Sequence, residues 1–191
     1  PLISGGKIVI PKPEAMNQVM VLNDLMLRHG VSLLEGTPSF LTYLLDGLSD
    51  LPVEEKLPSV RYLGIGGESL PESLIKRVQE ELPHAQLNNH YGPTETTIDA
   101  IVYPNVQVSG KNIIGRPLKN TRIFILNEQL QLVPKNTIGE ICIGGPGLFR
   151  AYLNNPELTS QKLCVNPFDK SSKIYRSGDL GRWTDDGQIV F

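Results

Sequence analysis

The sequence predicts an α/β fold, a parallel sheet with flanking helices, followed by a smaller β-rich lobe. Three observations carry this reading. Up to about Pro104, short apolar runs alternate with segments of helical period. Beyond that point the texture changes to strand-like runs separated by turn residues. Apolar residues make up 40% of the 191, enough for a substantial core.

Taken in order, Lys7-Ile8-Val9-Ile10 reads as a short buried strand, broken by Pro11 and Pro13. From Glu14 to His29, apolar residues at Val19, Leu22, Leu25 and Met26 keep a helical period, and Gly30 stops the helix. Val31 to Leu34 is a second strand. Thr37-Pro38 opens a helix through Phe40, Leu41, Leu44 and Leu45, with Thr37 as N-cap and Pro38 in the first turn. After a polar, proline-bounded loop from Ser49 to Pro58, Val60 to Ile65 forms a third strand. Ser69 and Glu72 have capping-box spacing before a helix to about Leu82. Gln86 to His90 is a fourth strand. Such alternation argues for parallel strands, whose ligands sit outside their carboxyl ends. It predicts that the loops Glu35-Gly36-Thr37, Gly64 to Glu68 and His90 to Glu95 share that edge. Downstream, Ile123 to Leu126 and Glu140 to Ile143 read as strands, and Glu157 to Lys162, behind Asn155-Pro156, as a short helix.

A net charge of −2 without a basic block argues against nucleic acid and anionic membranes as partners, and no apolar run reaches membrane-spanning length. Cys142 and Cys164 fit no metal or redox spacing; Cys142, between Ile141 and Ile143, reads as a small buried residue. A reducing, cytoplasmic setting is the default. His29 sits near a helix end and His84 in a Pro-His turn, and Trp183 reads as packing of the β-rich lobe. With no initial Met and a strand-like run at Ile189-Val190-Phe191, the chain is expected to be a piece of a longer protein.

The chemistry concentrates in Asn89-His90-Tyr91-Gly92-Pro93-Thr94-Glu95-Thr96. Gly-Pro favours a tight loop because Pro fixes φ and Gly tolerates any φ. A ring can stack on a base, a hydroxyl can donate to phosphate, and a carboxylate can hold Mg²⁺. The bland alternative is a surface turn with incidental Thr and Glu.

Tyr91-Gly92-Pro93-Thr94-Glu95 resembles the signature loop of the adenylate-forming enzymes: acyl-CoA synthetases, luciferases and the adenylation domains of nonribosomal peptide synthetases. Tyr175-Arg176-Ser177-Gly178-Asp179 resembles that family's Y-[RK]-T-G-D motif, with Ser177 in place of Thr. Gly66-Gly67-Glu68-Ser69-Leu70 resembles its GGE-x-L segment. The stretch from Gly139 to Leu153 resembles its GEL-x-I-x-G and ARGYL motifs, departing at Ala151. Gly115-Arg116-Pro117-Leu118 and Asn155-Pro156-Glu157-Leu158-Thr159 match as scaffold. The resemblance runs along the whole chain and is strongest to the peptide-synthetase branch. It implies a flavodoxin-like subdomain over residues 1–104 and an incomplete, distorted-barrel subdomain over 105–191, together a fragment of the large N-terminal part of an adenylation domain. The family's phosphate loop and its C-terminal lobe with a catalytic lysine are not represented, so the piece by itself is expected to be inactive.

By carry-over, Thr94 contacts the α-phosphate of ATP and Glu95 holds Mg²⁺, and these two form the catalytic set. The nucleotide is expected on Gly66, Gly67, Glu68, Asn89, Tyr91, Gly92, Thr94, Asp179 and Phe191, with Asn89 on the adenine amino group, Tyr91 stacked on the ring and Asp179 on the ribose hydroxyls. The amino-acid pocket is expected at Glu35, Gly64, Gly66, His90, Ile98 and Asp99. Two carboxylates in one pocket repel unless a cation lies between them, which implies an ornithine-, lysine- or arginine-like substrate. His90 reads equally as a neutral wall or a polar contact. The implied reaction forms aminoacyl-AMP for a phosphopantetheine thiol on a peptidyl carrier domain, next to a condensation domain. An acyl- or aryl-CoA ligase of the same superfamily and a non-catalytic nucleotide-binding module are the alternatives.

Overall fold

The computed structural model describes residues 2–191. Contacts divide the described chain into two compact units: the residues up to Asn88 with Asn105–Val108, and Asn89–Pro104 with Ser109–Phe191. The sequence texture divides the chain between residues 104 and 105. The contact-based division differs because residues 89–104 pair with strands that follow them.

In the first unit, α1 (Val19–His29) follows a 3-10 turn at Pro13–Asn17. The helix expected from Glu14 therefore begins at Val19. No residue of the turn is buried, so no packing extends the helix backwards. Lys7 to Ile10 is not a buried strand: Ile8 and Ile10 are exposed, and no described strand lies beside them to satisfy their backbone groups. β1 (Leu33–Gly36) is followed by α2 (Pro38–Gly47), where the Thr37 hydroxyl accepts from Phe40 N at 3.2 Å and so caps the helix as expected. The α2 face of Leu41, Leu44 and Leu45 is completely buried, each side chain contributing about 2 kcal/mol of transfer free energy.

β2 (Tyr62–Gly66) pairs parallel with β1, Glu35 opposite Gly64. α3 (Glu72–Glu81) carries no side-chain cap. Pro71 occupies the cap position, leaving Ser69 too far upstream to close the expected capping box. The polar loop before β2 is tied to α1 through buried Asn23. Its Nδ2 donates to the Glu55 carbonyl at 2.9 Å, and its Oδ1 accepts from Leu57 N at 2.8 Å. β3 (Gln86–Tyr91) starts in this unit, where Gln86 N donates to Arg61 O.

In the second unit the end of β3 is followed by β4 (Ile101–Tyr103), β5 (Ile113–Pro117), β6 (Arg122–Leu126), β7 (Gly139–Gly144), α4 (Pro156–Lys162), β8 (Leu163–Asn166), β9 (Asp169–Trp183) and β10 (Ile189–Val190). The strands run in the order β3-β4-β5-β10-β9-β7-β6, with β8 also on β9. Every one of these pairings that has a register is antiparallel. The fold is thus mixed α/β: parallel at β1 and β2, antiparallel from β3 onward. Ile101, Ile125, Ile141 and Ile189 form the buried centre of the second unit, and Trp183 packs against it. Cys142 is fully buried, which pushes its thiol up to about 12.

Candidate nucleotide site

β3 ends at Tyr91 and turns back into antiparallel β4, with Tyr91 opposite Ile101. The signature loop is the connection of this hairpin. It contains a 3-10 turn at Thr94–Thr96 and two non-glycine residues with left-handed backbone, Thr97 (φ 65) and Ile98 (φ 70). Gly92 does not take positive φ. It is needed for another reason: a Cβ there would lie 1.9 Å from Ile98 O and 2.7 Å from Ala100 N. The loop thus folds back onto Gly92, and Ala100 N donates to Tyr91 O at 2.9 Å.

The Tyr91 hydroxyl donates to Asp179 Oδ2 at 2.7 Å, joining two motifs 88 residues apart. Burial raises the Tyr91 phenol above its ordinary value, and the adjacent Asp179 carboxylate adds to the rise. The Tyr91 ring also lies 5.9 Å from Phe191, tilted by 55°. Asn89 is buried and its Nδ2 donates to Ile113 O at 3.2 Å. Tyr91, Asp179 and Phe191 therefore stand together, with one lone pair of Asp179 already engaged.

Glu95 Oε1 accepts from the Tyr152 hydroxyl at 2.5 Å, and Glu95 O accepts from Phe149 N at 2.8 Å. That hydroxyl is the main reason Glu95 is held below the usual carboxylate range. Tyr175 and the Lys162 ammonium act in the same direction, against the effect of burial. Tyr152 stacks edge-on against Phe149 at 4.7 Å, and Phe149 against Tyr175 at 5.8 Å. Tyr152 is the residue that sequence reasoning missed, since the Gly147 to Leu153 motif reads as scaffold. Thr94 is exposed, and its hydroxyl has no partner among the described residues. No group of three metal-ligating side chains gathers among the described residues. Glu95 nonetheless suits Mg²⁺, which takes one or two carboxylates together with phosphate oxygens and waters. Tyr152 leaves Glu95 Oε2 for that purpose.

In the first unit, Glu68 is committed to its own fold. Its Oε2 accepts from Ser39 N at 3.1 Å and from Ser39 Oγ at 2.5 Å, at the start of α2. These bonds lower its pKa and compensate the positive end of the helix. Gly66 ends β2, and Gly67 (φ 80) lies close enough to Thr37 that a Cβ would touch Thr37 Cγ2 at 3.8 Å. Thus two of the three expected loops, 35–37 and 64–68, are neighbours in this unit, while 90–95 belongs to the other.

The expected amino-acid residues divide the same way. Glu35 is exposed beside Gly64 and has no ion-pair partner among the described residues. In the second unit, His90 Nδ1 lies 3.0 Å from Asp99 Oδ2, and Ile98 is exposed. His90 is therefore a polar contact, and Asp99 has an internal partner that the argument from two repelling carboxylates does not supply.

The first unit is a parallel α/β layer, and the second carries a hairpin loop with an aromatic, a hydroxyl and a carboxylate, the mixed α/β class that the sequence predicts. Comparison with known proteins agrees. The sequence model of the AMP-binding enzyme family matches residues 1–153. Gramicidin S synthase 2 of Aneurinibacillus migulanus is 38% identical over 191 residues, covering 100% of this chain and 4% of that protein. Bacitracin synthase 3 of Bacillus licheniformis is 40% identical over 190 residues, covering 100% of this chain and 3% of that protein. The nonribosomal peptide synthetase FmoA3 in an AMPPNP-bound form has a TM-score of 0.88 at 27% identity, covering 98% of this chain and 20% of that one. The chain belongs to the AMP-binding enzyme family, and it spans only a small part of the peptide synthases it matches. Among the described residues no helix is long and apolar enough to cross a membrane.

Proposed function

We propose that this chain is part of an adenylation domain that joins an amino-acid carboxylate to the α-phosphate of ATP, expels pyrophosphate, and passes the aminoacyl group to a phosphopantetheine thiol on a carrier domain. The observation that carries the reading is the Tyr91 to Asp179 hydrogen bond, which holds the loop with the hydroxyl and metal-binding carboxylate against the turn that presents a ribose acceptor. The α-methyl-L-serine-AMP form of FmoA3, 27% identical with a TM-score of 0.88, supports it, as do the peptide-synthase relatives.

In this reading the exposed Thr94 hydroxyl donates to an α-phosphate oxygen as negative charge builds there. Asp179 accepts the ribose hydroxyls with the lone pairs that Tyr91 leaves. Tyr91 and Phe191 offer ring faces to the adenine, and Asn89 its carbonyl oxygen to the adenine amine. Glu95 holds Mg²⁺, which supplies charge neutralisation at the phosphates. The domain works beside carrier and condensation domains of one assembly line, in a reducing cytoplasm that suits two free cysteines. The subdomain division at 104 and 105 remains part of this proposal.

The substrate side chain is cationic in this reading, and the support is Glu35, a carboxylate without an ion partner among the described residues, beside the space left by Gly64. Asp99 contributes less, because His90 already engages it. The test is amino-acid-dependent exchange of pyrophosphate into ATP by the parent protein. Exchange led by ornithine, lysine or arginine supports both parts. Exchange led by a neutral or acidic amino acid keeps the reaction and removes the cationic substrate. Turnover of a carboxylic acid with CoA, without amino-acid-dependent exchange, replaces the proposal with a CoA ligase.

A further inference from the structure

Asp179 does not sit in a regular strand. β7 and β9 pair Glu140 with Leu180 and Cys142 with Arg176, so Ser177, Gly178 and Asp179 all face the single residue Ile141. This bulge pushes Asp179 out of the ladder, a common device for aiming one side chain. Its inner closure is local: Ser177 Oγ donates to Ile141 O at 2.7 Å, and Asp179 N donates to Ser177 Oγ at 3.0 Å.

Its outer closure comes from Glu140. Glu140 Oε1 accepts from Gly178 N at 3.0 Å, and Oε2 accepts from Arg176 Nε and Nη2 at 2.9 and 2.6 Å. The Glu140 side chain is only 13% exposed, so the carboxylate is largely removed from water and depends on these donors. Each acts on the bulge: Arg176 precedes it, and Gly178 N–H lies inside it, next to Asp179. The outer side opens into a cavity of about 770 Å³ lined by Arg176, Gly178, Lys162 and Leu180. The hydrogen bonds of Glu140 close the bulge on that side, as those of Ser177 close it on the other.

We infer that Glu140, oriented by Arg176, is a positioning residue for ribose recognition: it sets the conformation of the Ser177–Asp179 bulge and so the aim of the Asp179 carboxylate. The inference rests on the proposed role of Asp179. Two hydroxyls on one carboxylate require a fixed carboxylate plane, and a bulge free to relax would lose that fit while still binding base and phosphates.

The experiment compares ATP with 2′,3′-dideoxy-ATP as substrates for amino-acid-dependent pyrophosphate exchange, using the parent protein and its Glu140→Gln, Arg176→Met and Arg176→Lys variants. The unsubstituted protein prefers ATP. Glu140→Gln and Arg176→Met lower kcat/KM for ATP by about tenfold, the effect of losing about one hydrogen bond's worth of fit, and leave dideoxy-ATP unchanged. Arg176→Lys, which keeps the charge without the fork, falls between and retains the fold if Arg176→Met does not. Equal losses for both nucleotides mean a merely structural role and overturn the inference while keeping the proposed function. If the unsubstituted protein uses both nucleotides equally well, Asp179 is no ribose acceptor, and the assigned site falls together with the inference.

Discussion

Replacing Gly92 with Ala tests the hairpin most directly. The new Cβ would stand 1.9 Å from Ile98 O, 2.7 Å from Ala100 N and 2.8 Å from Ile98 C, all backbone atoms. No rotamer change relieves this contact. The loop must shift, and the bond from Ala100 N to Tyr91 O at 2.9 Å is the first to open. Overpacking costs about 1–3 kcal/mol, and the lost hydrogen bond about 1 kcal/mol more. A local penalty of about 2–4 kcal/mol raises the opening equilibrium by about 30- to 700-fold. Native-state hydrogen exchange of the Ala100 amide in the parent protein reads this factor. Gly187→Ala is the control. That glycine has φ 74, but a methyl group added there would meet no heavy atom within 4 Å. It incurs only the left-handed backbone cost of about 1 kcal/mol, and away from the hairpin. Exchange at Ala100 within about threefold of the unsubstituted protein, far below the factor expected from overpacking, would refute the close-approach account of Gly92.

Three other outcomes follow from the same geometry. Tyr152→Phe removes the hydroxyl that holds Glu95 below its ordinary value of 4.5, so it destabilises the protein at neutral pH by about 1 kcal/mol. Because the folded pKa is the lower one, that stabilisation is complete above about 4.5 and lost as pH falls through the folded value. Thermal unfolding of the two proteins should therefore converge in acid. Asn23→Ala leaves Glu55 O and the buried Leu57 N–H unpartnered, costing about 2–4 kcal/mol in denaturant unfolding, with proteolysis appearing first in the loop before β2. Glu35→Gln should raise the KM for a cationic amino acid by about tenfold or more in pyrophosphate exchange and leave the KM for ATP unchanged; equal change in both would remove Glu35 from the substrate.

Much of this was legible because it is local. The Thr37 cap, the short helix behind Asn155-Pro156 and the buried Ile141-Cys142-Ile143 run need only neighbouring residues, and all three form. The failures are local signals without a tertiary partner. Lys7 to Ile10 has strand composition, yet no described strand takes its hydrogen bonds. Ser69 and Glu72 have capping spacing, but Pro71 holds the cap position. The antiparallel return from β3 to β4 was not legible, because hairpin pairing depends on how the loop closes, and that closure lies in the left-handed Thr97 and Ile98. Sequence pattern does not announce such a conformation in a β-branched residue.

The candidate site shows the same limit from the other side. Motif resemblance names Tyr91, Glu95 and Asp179 one at a time, each with a ligand. The structure gives each a protein partner first: Asp179 for Tyr91, Tyr152 for Glu95, and a bulge held by Glu140 for Asp179. The sequence separations are 88, 57 and 38 residues, beyond the reach of any periodicity. These partners leave acceptor positions on both carboxylates, Oε2 of Glu95 and the remaining lone pairs of Asp179, so they hold the groups in place without consuming them. A carboxylate that must bind a metal or a ribose gains little from being free, since a mobile side chain loses rotamer entropy on binding. In the proposed site Tyr152 and Glu140 bear that ordering cost in advance, which would make them as much part of it as the residues whose names the motifs carry.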